Sequence, residues 1–432
     1  MKKDDLIELT IEDLGVDGEG IGKVDGMAIF VKDVVPGDRV QAKVMKMKKS
    51  YGYARLMQVL DPSPERTEPR CAFARQCGGC QLQALSYEQQ LKFKEKKVRG
   101  HLERIGGFQN LDMEPIMGME EPYHYRNKAQ FPVGRNKEGR IITGFYAGRT
   151  HAIIENRDCA LGIPQNKEIL DIVIAHMEKY GIAPYDEMTG KGLVRHIFVR
   201  YGFFTGELMV CLIINGKSLP HSEKLVEALR KIDGMTSISI NCNTGRTNVI
   251  LGRKTVVLWG QEYITDKIGD ISYQISPLSF YQVNTIQAER LYEIAADYAQ
   301  LTGKETLLDL YCGAGTIGLS MSLKVKKLIG VEKIESAIDN AKRNAATNNV
   351  TNAEFICGDA GKIAEILYSR GERPDVIIAD PARKGCTRDT LEYMAKMSPD
   401  RIVMISCNHA TAARDCAVLE ELGYKTVKVK GV

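Results

Sequence analysis

Across 432 residues there is no apolar run long enough to span a bilayer, and the opening Met1-Lys2-Lys3-Asp4-Asp5 leads into no apolar segment of the secretory kind. Both absences predict a cytoplasmic protein with no membrane partner. Net charge is nearly absent as well, +4 from 59 Lys and Arg against 55 Asp and Glu, so any nucleic-acid partner has to be argued from where the lysines gather. Internal repeats and low-complexity tracts are missing, which leaves an ordinary globular chain, long enough for two or three domains. A disulfide framework is excluded for the 11 cysteines, because the cytosol keeps thiols reduced. They are therefore ligands, nucleophiles or core residues.

Residues 1–60 read as short strands broken by glycine turns, among them Gly15, Gly18, Gly20 and Gly22, followed by the alternating run Arg39-Val40-Gln41-Ala42-Lys43-Val44. Such a pattern predicts a small β-barrel. Lys43, Lys46, Lys48 and Lys49 precede Tyr51 and Tyr53, a mixture that suits phosphates and stacked bases. A solvated lysine-rich edge that blocks aggregation is the other reading. The order of these pieces resembles a TRAM domain, a small RNA-binding barrel of the OB-like kind.

Pro62, Pro64 and Pro69 mark a linker. Residues 61–275 read as an α+β central domain, with helices at 87–104, 167–180 and 221–232. From 276 to 432 strands alternate with helices, which predicts a parallel, doubly wound α/β sheet of the Rossmann-like kind. A further strand is expected near 425–429.

In that last stretch Gly313-Ala314-Gly315-Thr316-Ile317-Gly318 follows a strand and opens a helix, as a nucleotide-binding turn does. Glu332 closes the next strand, where a carboxylate can hold both ribose hydroxyls. Each feature also fits a dinucleotide site. Asp309 before the turn, Asp359 after the third strand and Asp380-Pro381 after the fourth favour the class I methyltransferase version of the fold, with S-adenosylmethionine across the strand ends. Asp380-Pro381-Ala382-Arg383 and Ser406-Cys407-Asn408 each end an apolar strand and should face one cleft. A thiolate there can add to C6 of a pyrimidine and make C5 nucleophilic. Cys407 is therefore the expected nucleophile. Cys211, Cys242, Cys312, Cys357, Cys386 and Cys416 are expected to pack.

Cys71, Cys77 and Cys80 form a compact trio beside Gly78-Gly79, with Cys159 as a candidate fourth ligand. Four thiolates suit zinc or a [4Fe–4S] cluster.

Five stretches spread over nearly the whole chain carry a more specific resemblance. They are Tyr125-Arg126-Asn127-Lys128, Ser279-Phe280-Tyr281-Gln282-Val283-Asn284, Leu308-Asp309-Leu310-Tyr311-Cys312-Gly313, residues 380–385, and Ile405-Ser406-Cys407-Asn408. The chain resembles the 23S ribosomal RNA (uracil-5-)-methyltransferases that carry an amino-terminal TRAM domain. That resemblance implies S-adenosylmethionine as methyl donor and Cys407 as nucleophile. It implies that Gln282, Tyr311, Glu332 and Asp380, beside Gly313 and Gly315, contact the cofactor or the base, and Asp380 could equally bind the uracil. It further implies a [4Fe–4S] cluster on Cys71, Cys77, Cys80 and Cys159, 23S ribosomal RNA as partner, and a monomer. Family members continue past the strand near 425–429 into a Phe-Pro turn and a His-Val-Glu run whose glutamate is the general base. This sequence stops at Gly431-Val432, so base and final strand are expected to be absent. A transfer-RNA uracil-5-methyltransferase, a non-catalytic iron–sulfur RNA-binding protein and, more distantly, a nicotinamide-dependent oxidoreductase are the competing readings.

Overall fold

The computed structural model describes residues 1–432, which form two compact units: 1–97 with 142–160, and 98–141 with 161–432. In the smaller unit β1 (Leu6–Leu14), β2 (Gly20–Val24), β3 (Met27–Val31), β4 (Arg39–Met47) and β5 (Tyr51–Asp61) close a barrel in the order β1-β2-β3-β5-β4. Alternation sets its inside: Val40, Ala42 and Val44 of β4 are buried with Ile11, Ile29 and Val31, while Lys43 reaches out to Asp4. Gly22 has no substitute here, since a Cβ would stand 2.4 Å from the Thr10 carbonyl oxygen. The proline linker is anchored by Arg66, whose guanidinium lies 2.5 Å from the buried Asp38 carboxylate. Burial works to raise the Asp38 carboxyl, but Arg66 and the N–H groups of Ser63 and Val35 hold it below the ordinary range.

Helix α1 (Tyr87–Arg104) follows the cysteine segment. After it, β6 (Asp112–Glu114) and β7 (Lys128–Arg135) belong to the larger unit, and β8 (Ile141–Tyr146) and β9 (Ile153–Glu155) form a hairpin. Gly78 donates to the Tyr146 carbonyl at 3.0 Å and Cys77 bridges to Ala147, so the hairpin grips the cysteine segment. The smaller unit thus takes in barrel, linker, cysteines and hairpin. A distant hairpin supplies contacts that close this unit.

Within the larger unit α2 (Gln165–Lys179), β10 (Val194–Tyr201), β11 (Leu208–Ile214), α3 (Ser222–Leu229), β12 (Met235–Cys242) and β13 (Lys254–Gly260) build the central part. The strands run β13-β12-β11-β10-β7, with only β11 and β12 parallel among these pairs. All seven residues of β11 are buried, as a continuous apolar run demands. The hairpin of β14 (Ile264–Ile268) and β15 (Ile271–Ile275) leads onward.

Next come α4 (Thr285–Ala299), β16 (Thr306–Leu310), α5 (Thr316–Ser320), β17 (Lys327–Glu332), α6 (Glu335–Thr347), β18 (Ala353–Cys357), α7 (Ala360–Ser369), β19 (Val376–Ala379), α8 (Arg388–Lys396), β20 (Arg401–Met404), α9 (His409–Glu421) and β21 (Lys428–Lys430). Five strands pair in parallel in the order β18-β17-β16-β19-β20. Neighbouring residues of β16 serve opposite faces, Leu307 in one apolar core with Ile317, Leu328 and Ile338, Leu308 in the other with Leu391, Met394 and Leu419. Strand order reverses at β16, so a ligand crevice is expected above the carboxyl ends of β16 and β19. Two details differ from the sequence expectation. Strand β20 stops at Met404: Ile405 still donates to the Ala379 carbonyl, and Ser406 then turns to accept from the N–H of Asn408, the cap of α9. The segment near 425–429 yields β21, which pairs with β6 rather than with the sheet. No helix is long and apolar enough to cross a membrane.

Candidate active site and cofactor crevice

At the end of β16 a carboxylate is buried inside the loop it organises. Asp309 is 1% exposed, and its Oδ2 accepts the Gly318 N–H at 2.8 Å. A Cβ on Gly318 would stand 2.8 Å from the same oxygen. Oδ1 is buried with no hydrogen-bond partner. Burial pushes the carboxyl up to about 8, Asp380 and Glu332 push it the same way, and the Gly318 N–H opposes them. The turn above is left-handed at Tyr311 (φ 68°), Gly313 (φ 56°) and Gly315 (φ 80°); Tyr311 bears a steric cost there that glycine avoids. Glu332, last in β17, accepts from Gly313 N at 3.2 Å and Ile334 N at 2.9 Å, so it binds the loop to the strand end.

Beside this, the turns after β19 and β20 are laced together. Asn408 caps α9 through its own side-chain oxygen, and its Nδ2 donates to the Arg383 carbonyl at 3.0 Å. Thr411 and Arg414 donate to the Arg383 and Lys384 carbonyls. Asp415, 1% exposed, accepts from Cys386 N at 2.7 Å. Gly385 (φ 75°) permits that approach, since a Cβ there would meet the Asp415 carboxylate. Cys407 stands exposed on this braced loop. Asp380 is half-buried, and burial pushes its carboxyl up to about 6.

Gln282 reaches the same crevice by a different route. Its side chain lies against the Tyr292 hydroxyl, which contacts Thr316 Oγ1 at 3.2 Å; Asp380 acts electrostatically on the same tyrosine. The 276–284 segment is pinned from the central strands. Asn127 Nδ2 donates to the Gln282 carbonyl at 2.8 Å and to Thr285 Oγ1 at 2.9 Å. Arg200, 2% exposed, donates to the carbonyls of Ser276 and Ser279. Lys128 stands by: burial pushes its amine down to about 8, and the nearby Arg200 and Arg126 add to the effect.

Of the residues expected from sequence, Gln282, Gly313, Gly315, Glu332 and Asp380 therefore converge at the strand ends, with Cys407 on the adjoining loop. Tyr311 does not share their direction, since its side chain turns to Thr390 and Cys386 on the α8 side. Sequence reasoning misses Arg200 and Tyr292, although an arginine in the otherwise buried run Val194-Arg195-His196-Ile197-Phe198-Val199-Arg200 is a readable signal. Cys357 is a correction: it is exposed, not packed, because β18 is an edge strand and Cys357 is its last residue. Cys211, Cys312 and Cys386 are buried as expected.

Cys242 and Cys416 are half-buried, and the four candidate ligands lie together in the smaller unit, where Cys71, Cys77 and Cys159 all act electrostatically on Cys80. Gln83 Nε2 approaches Cys80 Sγ at 3.1 Å, the Gly79 N–H approaches Cys77 Sγ at 3.4 Å, and Asn156 Nδ2 lies 3.7 Å from Cys71 Sγ. Amides aimed at sulfur suit thiolate ligands. Burial raises the Cys80 thiol, and the other three cysteines add to that. No three of these sulfurs, alone or with His, Asp or Glu, converge as a metal-binding group. Thiols are the donors that a thiophilic metal or cluster takes, but here they do not close around one point.

A doubly wound sheet with a nucleotide-type turn follows an amino-terminal closed barrel, an architecture that suits a methyltransferase acting on RNA. The TRAM domain profile matches residues 5–57 and that of the tRNA (Uracil-5-)-methyltransferases matches residues 86–430, so the chain belongs to the uracil-5-methyltransferase family. It is 48% identical over 433 residues to an uncharacterized RNA methyltransferase of Halalkalibacterium halodurans, covering 100% of this chain and 94% of that one. A protein of the same description from Clostridium tetani is 46% identical over the same shares. Among solved structures, the Pyrococcus abyssi tRNA (uracil-54, C5)-methyltransferase in complex with S-adenosyl-L-homocysteine matches with a TM-score of 0.76 and 28% identity, over 96% of this chain and 93% of that one. The crevice suits such a ligand: Glu332 ends β17 beside the turn, and the left-handed glycines keep the turn free of side chains.

Proposed function

We propose that the protein methylates C5 of a uridine in 23S ribosomal RNA through a covalent bond between Cys407 and C6 of the base. The observation that carries this reading is Cys407 itself, exposed after β20 on a loop braced by Asn408, Thr411 and Arg383, while the half-buried Asp380 follows the neighbouring strand β19. When bound, S-adenosylmethionine supplies a methyl group as an electrophile for C5. Glu332, Asp380 and Gln282, with Gly313 and Gly315, line the cofactor and base positions in this reading, and Tyr311 supports the turn from the α8 side. Cys407 Sγ adds to C6, which places electron density on C5. Asp380, with its carboxyl held near pH 6, can donate to or accept from the uracil edge as its proton state requires. After alkylation C5 loses its proton, the C5–C6 double bond re-forms and sulfur departs.

The barrel's Phe30, Tyr51 and Tyr53, with ring centroids 5.6–5.7 Å apart, support RNA binding by stacking. Cys71, Cys77, Cys80 and Cys159 would hold a [4Fe–4S] cluster, whose contribution is to staple the segment, since methylation needs no electron. Barrel and cysteine segment favour a ribosomal target for a cytoplasmic monomer. Transfer RNA is the second reading, supported by the match to the P. abyssi enzyme over 96% of the chain.

Methyl-labelled S-adenosylmethionine, incubated with unmodified 23S RNA or with unmodified tRNA, tests the assignment. Label in 5-methyluridine of the ribosomal RNA, absent with Cys407→Ala, is expected. Label in tRNA alone would transfer the assignment to the second reading. Iron and sulfide content after anaerobic purification tests the cluster, and zinc in their place would overturn it.

A further inference from the structure

One buried hydroxyl joins two sides of the crevice. Helix α4 buries Thr285, Ala288, Tyr292, Ala295 and Ala299 along one stripe, in which Tyr292 is the only large side chain. It is 3% exposed, and a phenylalanine would fill the same space, so the hydroxyl has to find partners. One is Thr316 Oγ1 at 3.2 Å, on the first residue of α5, directly after the glycine turn. The other is the Gln282 side chain. Burial pushes the hydroxyl well above its ordinary range and Asp380 and Asp309 act the same way, while hydrogen bonding to Thr316 and Gln282 opposes them.

The neighbouring Tyr273 serves the same turn differently. Its side chain is 1% exposed, and its hydroxyl donates to the Thr316 carbonyl at 3.0 Å, away from Gln282. The backbone of Gln282 is held by other means: Asn127 Nδ2 donates to its carbonyl, and Tyr281 and Thr285 on either side bond to the buried Asp266 carboxylate. What Tyr292 adds is a hold on the side chain. A loose glutamine side chain samples several rotamers, and ordering it costs free energy when a ligand binds. The Tyr292 hydroxyl removes that freedom beforehand.

We propose that Tyr292 is a positioning residue for methyl transfer, its hydroxyl tethering the Gln282 side chain to the start of α5 so that methyl donor and base are held in one geometry. The inference rests on the proposed C5 methylation and on the place of Gln282 in that site. Without the hydroxyl the ring still packs, but the Gln282 amide is free to turn. A misplacement of this kind slows the bound complex more than it weakens binding.

The test compares wild type with Tyr292→Phe, Gln282→Ala, the double variant and Tyr273→Phe, with thermal melting as a check on folding. Methyl transfer is followed on whichever of unmodified 23S RNA and tRNA the wild type labels. Tyr292→Phe is expected to lower kcat roughly tenfold, with KM for S-adenosylmethionine held within about twofold. Beside Gln282→Ala the same substitution should cost nothing more, because the group it positions is gone. Tyr273→Phe should lower the melting temperature, and its effect on rate should be the same with or without Gln282→Ala. A readout independent of turnover is the Gln282 side-chain amide signal of the RNA-free protein, identified by its loss in Gln282→Ala. It should shift and broaden in Tyr292→Phe and stay in place in Tyr273→Phe. An unchanged kcat in folded Tyr292→Phe, a full loss beside Gln282→Ala, or an unmoved amide signal would each overturn the tether. Wild type that labels neither RNA, or label that persists in Cys407→Ala, would instead overturn the methylation reading beneath it, while the amide signal still decides the contact.

Discussion

The two halves of one sheet edge are built on opposite terms. At the ends of β16 and β17, polar groups are turned inward: Asp309 is sealed beneath the turn, Glu332 is engaged by two backbone N–H groups, and left-handed residues clear the space above. At the ends of β19 and β20, hydrogen bonds run sideways between turns, and the thiol of Cys407 is left to solvent. Binding a cofactor favours a stiff, preshaped hollow, whereas attacking a base in RNA needs a nucleophile that the substrate can reach. Rigidity is common to both halves; what differs is which side of it faces the reactants.

The sharpest way to break this comparison is at the open half. Cys407→Ala should abolish 5-methyluridine formation while leaving the affinity for S-adenosylhomocysteine unchanged, as measured by calorimetry. Loss of both would mean that the halves are not separable. Next in size is Arg200→Met, which strands the Ser276 and Ser279 carbonyls and should destabilise the fold by roughly 2–4 kcal/mol in denaturant titration.

The closed half is probed by Asp309→Asn. In the fold that carboxyl keeps its proton up to about pH 8, while in the unfolded chain it ionises near 3.8. Between those values the folded state holds the extra proton, so this group's contribution to stability falls as pH rises and levels off above about 8. The asparagine variant should lose that slope in melts run from pH 5 to 9, and should bind S-adenosylhomocysteine about tenfold more weakly. A slope that survives would mean that Asp309 is ionised in the fold. The smallest effect is expected from Cys357→Ser, an exposed strand-end change that should leave both melting temperature and methyl transfer within error.

Much of this is readable along the chain. Helix α1 falls on the expected 87–104, and the strands of the parallel sheet lie where their apolar runs place them, because local periodicity reports local structure. The turn glycines and the strand-end residues Glu332, Asp380 and Cys407 are visible for the same reason. What periodicity cannot report is a partner far away in sequence. His101 and His409 are 308 residues apart, and Asn127 reaches Gln282 across 155. The smaller unit depends on a hairpin at 142–160 that no local pattern ties to the barrel. Tyr311 lies where its motif puts it along the chain, but its left-handed backbone carries the side chain to the other face.

The pairing of β21 with β6 has a consequence in time. Lys430 reaches Glu114 across 316 residues, so this two-strand seam cannot form until Lys430 itself has left the ribosome. The parallel sheet can assemble earlier, as its strands emerge in turn. During synthesis the larger unit therefore waits with β6 unpaired until β21 has emerged.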